Sequence, residues 1–123
     1  MTVNELLSGL KKATGPDREL DREIGFLICG WTTFRHLTHV VMLQTKDGAF
    51  LDDPDSLYPA FTESLGDAFT LVPKEYDWII ARTNGGLTIH ACVGDTKEHF
   101  GETPALALCI AAIEAHRKAK EPT

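Results

Sequence analysis

Asp77-Trp78-Ile79-Ile80-Ala81-Arg82-Thr83-Asn84-Gly85-Gly86-Leu87-Thr88-Ile89-His90-Ala91-Cys92-Val93 is the stretch on which the fold turns. Two alternating apolar runs flank Asn84-Gly85. That dipeptide is a strong hairpin signal, because a type I′ turn needs positive φ at both central residues. With Asn84 and Gly85 as the turn, Ile80 is expected opposite Ile89 and Trp78 opposite Ala91. Trp78, Ile80, Leu87, Ile89, Ala91 and Val93 then share one face. Downstream, Thr103 can cap a helix whose first residue is Pro104, where a missing N–H costs nothing. Leu106, Ile110 and Ile113 form its stripe, widened by Ala105, Leu108, Cys109 and Ala112. A hairpin and such a helix bury each other, which makes a fold unit but carries no chemistry.

Upstream, Thr2-Val3-Asn4-Glu5 reads as a capping box, with Val3, Leu6, Leu7 and Leu10 following at helical spacing. Gly15-Pro16 ends that helix near Ala13. Thr14 or Asp17 caps a second helix that buries Leu20, Ile24, Leu27 and Ile28 and turns Arg18, Glu19, Asp21, Arg22 and Glu23 mostly to water. Residues 31–37 have no clear period. Residues 38–44 read as a strand, Lys46-Asp47-Gly48 as a turn, and Ala49-Phe50-Leu51 as a strand pairing back. Thr62 is expected to cap a third helix carrying Leu65, Ala68, Phe69 and Val72, ended by Pro73.

The order α, α, β, β, α, β, β, α predicts a single α+β domain over residues 1–123. Its expected centre is an antiparallel four-stranded sheet. Ile79, Ala81 and Cys92 make the second face of the hairpin apolar too. The expected layering is therefore α-β-α, with the sheet sandwiched between helical layers. The final helix is apolar over more than one face. Either neighbouring elements cover it all, or part of it is a subunit contact in a homodimer.

Composition narrows the class. The chain has 123 residues, 43% of them hydrophobic, and a net charge of −6. That suits one globular domain without disulfide staples. No basic patch marks a duplex nucleic-acid interface beyond Lys11-Lys12 and His116-Arg117-Lys118. Cys29, Cys92 and Cys109 sit in apolar runs with no spacing pattern, as reduced thiols of a cytoplasmic protein do. No signal sequence or membrane-length apolar run is present, so no membrane contact is expected.

Several sets could carry chemistry. His36 and His39 could bind one metal from a helix but would point to opposite faces of a strand. His90 and Cys92 share a strand face and could hold zinc with His99, or be a buried core pair. Asp52, Asp53 and Asp55 lack the spacing of a calcium loop. Gly-x-Ser-x-Gly is absent. Asn84-Gly85-Gly86 is no phosphate loop, because neither Lys-Ser/Thr nor a helix follows it. No cofactor motif stands out. The chosen ligand site is Trp31, Phe34, Arg35 and His36, with Arg82 as an outlying member. It offers a stacking surface, a fixed positive charge and a donor titrating near neutrality, enough for a small anionic ligand. The structural alternative is that Trp31 and Phe34 plug the end of the sheet.

Ala60-Phe61-Thr62-Glu63-Ser64-Leu65-Gly66-Asp67-Ala68-Phe69-Thr70-Leu71-Val72-Pro73 and Glu102-Thr103-Pro104-Ala105-Leu106-Ala107-Leu108-Cys109-Ile110-Ala111-Ala112 each resemble a segment of the phage ABA-sandwich domain family. Asp17-Arg18-Glu19-Leu20-Asp21 is similar to that family's N-terminal segment. The resemblance covers most of the chain apart from roughly residues 32–55. It implies a small phage or prophage protein and brings no catalytic residues. The function expected is that of a non-enzymatic accessory protein and binding module. A counter-defence role would follow if it sequesters a nucleotide-like signal or a host protein. The alternative is a small metal-dependent hydrolase using His36, His39, His90 or the aspartates around Pro54.

Overall fold

A computed structural model describes residues 1–35, 41–46, 50–51, 59–83, 85, 88–94 and 97–120; the side chains of residues 33–35, 41–43, 50–51 and 120 lie outside that description. The described elements are α1 (Val3–Lys12), α2 (Arg18–Leu27), β1 (Thr32–Arg35), β2 (Val41–Gln44), β3 (Phe50–Leu51), α3 (Leu65–Phe69), β4 (Trp78–Thr83), β5 (Thr88–Val93), β6 (His99–Phe100) and α4 (Pro104–Lys120). The fold class is α+β. The strands form two antiparallel three-stranded sheets, β1-β2-β3 and β4-β5-β6, in place of the single four-stranded sheet expected. β6, with only two residues, is too short to show alternation in the sequence.

The helix starts follow their capping chemistry. The Thr2 hydroxyl accepts from the Glu5 N–H at 3.2 Å while the Glu5 carboxylate accepts from the Thr2 N–H at 3.3 Å. Asp17 caps α2, accepting from the N–H groups of Glu19 and Leu20. Thr103 accepts from the Leu106 N–H at 3.2 Å, and α4 opens on Pro104 as its missing N–H allows.

The hairpin pairs antiparallel, but with Trp78 opposite Val93 and Ile80 opposite Ala91. Thr83 faces Thr88, so the connection runs over residues 84–87 and is longer than the expected two-residue turn. Gly85 does take a positive φ of 67°; Asn84 and Leu87 lie outside the described residues. The register moves by two residues, and because side chains alternate with period two, the set sharing a face is unchanged. Ala91 and Val93 are fully buried, and Ile80 and Ile89 pack against them.

Among the described residues α4 is the helix packed on β4–β6, so the expected α-β-α layering is not seen there. α4 is the middle element, with β4–β6 on one side and α1 and α3 on others. From Ala105 to Ile113 every residue of it is buried. A helix apolar all round must be enclosed, and here its own chain encloses it. The apolar breadth of α4 therefore gives no support to a subunit contact through that helix. Gly101 permits the close approach of β6 to α4: a Cβ there would lie 2.5 Å from the Ala107 backbone nitrogen.

The third helix begins later than expected. Ser64 caps it, accepting from the Asp67 N–H at 3.2 Å. Thr62 is instead buried and tied to Asp21, which is fully buried on α2 rather than facing water. The Asp21 carboxylate accepts from the Thr62 N–H at 2.7 Å and from the Thr62 hydroxyl at 2.8 Å. The same hydroxyl accepts from the Asp17 N–H at 2.8 Å. Arg18 bonds the other Asp21 oxygen at 2.9 Å. Asp67 reaches back to the Ala60 N–H at 2.9 Å, and the Cys109 thiol donates to the Phe61 carbonyl at 3.2 Å. Residues 60–64 are thus pinned from α2, α3 and α4.

Six of the residues expected in the core, Leu6, Leu10, Ile24, Leu106, Ile110 and Ile113, are fully buried. Leu27, Phe69, Ile80 and Ile89 pack at its margin. Leu65 and Trp78 are exposed, at the start of α3 and of β4. The Val41 side chain lies outside the described residues. Phe61, Leu108 and Cys109 fill the centre.

Candidate interaction face

Of the residues chosen from sequence, the structure describes the side chains of Trp31 and Arg82 alone. Trp31 is 8% exposed. Its ring lies across Gly25 and 6.2 Å from the Phe61 ring. A Cβ on Gly25 would come within 2.0 Å of the indole, so glycine there makes the slot that Trp31 fills. Trp31 is core, and its ring is not presented to a ligand. Phe34 and Arg35 have their backbones in β1, and their side chains lie outside the description. His36 lies outside the described residues, as do His39, Asp52, Asp53 and Asp55. Arg82 is exposed near the end of β4, on the other sheet.

The proposed zinc set also comes apart. His90 and Cys92 share a face of β5, but His99 pairs with Ala91 and therefore projects from the opposite face. Among the described residues no group of three His, Cys, Asp or Glu side chains could hold a metal ion. His90 lies 3.5 Å from the Glu98 carboxylate, with the Phe100 ring centred 5.9 Å away. His99, on the helix side, has its pKa lowered by burial, with Glu114 opposing that shift and Lys11 and Arg117 adding to it.

What the strands do bring together is a mixed outer face, with exposed Ile79 and Phe100 on either side of a largely covered His90 that meets Glu98. β4 and β5 present Ala91, Val93 and Ile89 to α4, so Ile79, Ala81, His90 and Cys92 stand on the reverse side. Pairing of β6 adds Phe100 beside His90. Ile79 is 64% exposed and Phe100 57%. Trp78, on the helix side but at the sheet's edge, is 49% exposed and meets Phe69 edge-on at 4.4 Å. Ile79 and Phe100 are thus large apolar side chains left in water on one face of the sheet. Ile79 was legible as second-face apolar; Phe100 was not, since nothing in a two-residue strand reveals its facing.

A cleft of about 400 Å³ lies beside this sheet, lined by Glu75, Tyr76, Asp77, Gly94, Ala115 and Lys118. Two carboxylates against one ammonium make it unsuited to an anion. No family model, curated protein or solved structure matches the chain. No helix among the described residues is long and apolar enough to cross a membrane.

Proposed function

We propose that this chain is a non-enzymatic binding module, an accessory protein of phage or prophage origin that acts against host defence by docking a host protein on the outer face of β4–β6. The observation that carries this reading is the exposure of Ile79 and Phe100 on a sheet whose other face is filled by α4. The ledger of ligand types favours a protein. The Trp31 ring is buried rather than free to stack on a base, and the described cleft carries more negative than positive charge. Support for the origin comes from the family resemblance. Its segments 17–21, 60–73 and 102–112 are the ones that interlock through Asp21, Thr62 and Cys109. Sequestration of a nucleotide-like signal through Arg35 and His36 is the reading that this one displaces.

The test is Phe100→Asp, a substitution on an exposed side chain that should leave the thermal melt close to that of the parent. Host cells carrying the matching defence system are infected while expressing either form. The parent should restore plaque formation and Phe100→Asp should not. Equal protection by both forms rejects the docking face. Stoichiometric zinc in the purified protein, with a hydrolytic activity lost on chelation, would replace the binding module with the metal-dependent hydrolase.

A further inference from the structure

The outer edge of β4 is a pairing surface that the reading above does not use. β4 is an edge of its sheet, and among the described residues no strand pairs along its far side. The direction of its backbone groups follows from two hydrogen bonds. The Gly94 N–H donates to the Asp77 carbonyl at 2.8 Å, so Asp77 and Gly94 form a hydrogen-bonded position of the β4–β5 ladder. Such positions alternate along an antiparallel pair, so Ile79, Ala81 and Thr83 also turn their N–H and C=O groups toward β5. The ladder on the other side of β5 agrees: the Gly101 N–H donates to the Ile89 carbonyl, so Ile89 turns away from β4. Trp78, Ile80 and Arg82 therefore aim their backbone donors and acceptors off the free edge.

Protein edges of this length are usually blunted by Pro, Lys or a bulge. Trp78–Thr83 contains neither Pro nor Lys, and it pairs with β5 without a bulge. We infer that this edge pairs antiparallel with the same edge of a second copy, around a two-fold axis at Ile80, to make one continuous six-stranded sheet. The occupant is argued from self-complementarity. Residues directly opposite across an antiparallel pair project from the same face, so a two-fold pairing must set even positions against even ones. With Ile80 opposite its own copy, Trp78 falls opposite Arg82 at both ends. Trp78 is half-exposed and Arg82 is exposed. A guanidinium beside an indole is an attractive contact. Arg82 is also the only charged residue of the strand, so no like charge beside it on the edge opposes the approach. β6 offers a poorer template, with two residues. On the outer face this pairing joins Phe100, His90 and Ala81 of one copy to the partner's Ile79 and Cys92 in one row. The docking face proposed above would then be doubled.

Light scattering and sedimentation over a dilution series from high micromolar concentration test the pairing. A dimer is expected, with Arg82→Glu weakening it by about tenfold and Arg82→Lys by less. Arg82 is exposed, so both variants should fold. Register is read by oxidation in a Cys29→Ser, Cys92→Ser background. Ile80→Cys should cross-link to its own copy. Arg82→Cys should not, since the two-fold separates those positions by far more than a disulfide spans. A monomer throughout, a dimer indifferent to Arg82→Glu, an open-ended polymer, or cross-linking at position 82 instead of 80 each overturns the pairing. Phe100→Asp lies away from the edge and should leave the dimer intact, so loss of the host phenotype and loss of the dimer are separate results.

Discussion

At the scale of single residues, Asp21 is the one charged side chain that is fully buried among the described residues. Desolvation raises its carboxyl above the ordinary 3.8, while the two bonds from Thr62 and the Arg18 guanidinium pull the other way. The folded protein therefore keeps that proton to higher pH than the unfolded chain. Stability from this group falls as pH rises through the folded value, and the penalty is gone below the unfolded value of 3.8. Asp21→Asn should flatten that part of the curve, read from urea midpoints between about pH 4 and 7. A curve with the parent's slope would place the titration elsewhere. Asp21→Ala leaves the Thr62 N–H buried without an acceptor and should cost about 1–3 kcal/mol. Thr62→Val should cost a similar amount, and the double variant less than the sum, since both break one network. Sequence reading put Asp21 on the wet face of α2 because charge normally lies there. Only the tertiary partner, forty-one positions away, reverses that.

At the scale of elements, what was legible is what local chemistry controls. Thr2, Asp17 and Thr103 started their helices as capping rules require, and the alternation around Asn84-Gly85 located the hairpin and its buried face. The two-residue register shift and the later start of α3 were not legible. Thr62 and Ser64 are equally good caps in isolation, and burial of Thr62 against Asp21 decides between them. Trp31 shows the same limit: its slot exists only because Gly25 leaves one, which no periodicity announces. Gly25→Ala should therefore unfold α2 from the Trp31 ring and lower the melting temperature more than Ile110→Ala does. Ile110→Ala should itself cost about 2–5 kcal/mol in denaturant titration, because it empties space in the fully enclosed helix. A loss near zero at position 110 would mean that α4 is not enclosed.

At the scale of the whole molecule, the enclosure of α4 has a consequence for synthesis. α1, α2, α3 and β4–β6 all precede it in the chain, and the surface that α1, α3 and the sheet bury is the surface of α4. While the ribosome still shelters residues 104–113, the emerged chain has helices and a hairpin but nothing to close them on. Folding must wait for the last helix, at a time when the apolar insides of all earlier elements are already out of the tunnel. Nascent chains stalled just before residue 104 emerges should be cut readily by protease and held by chaperones. Chains stalled on a C-terminal extension long enough to carry residue 113 out of the tunnel should resist both. Equal protease resistance at the two stall points would mean that the earlier elements close without α4.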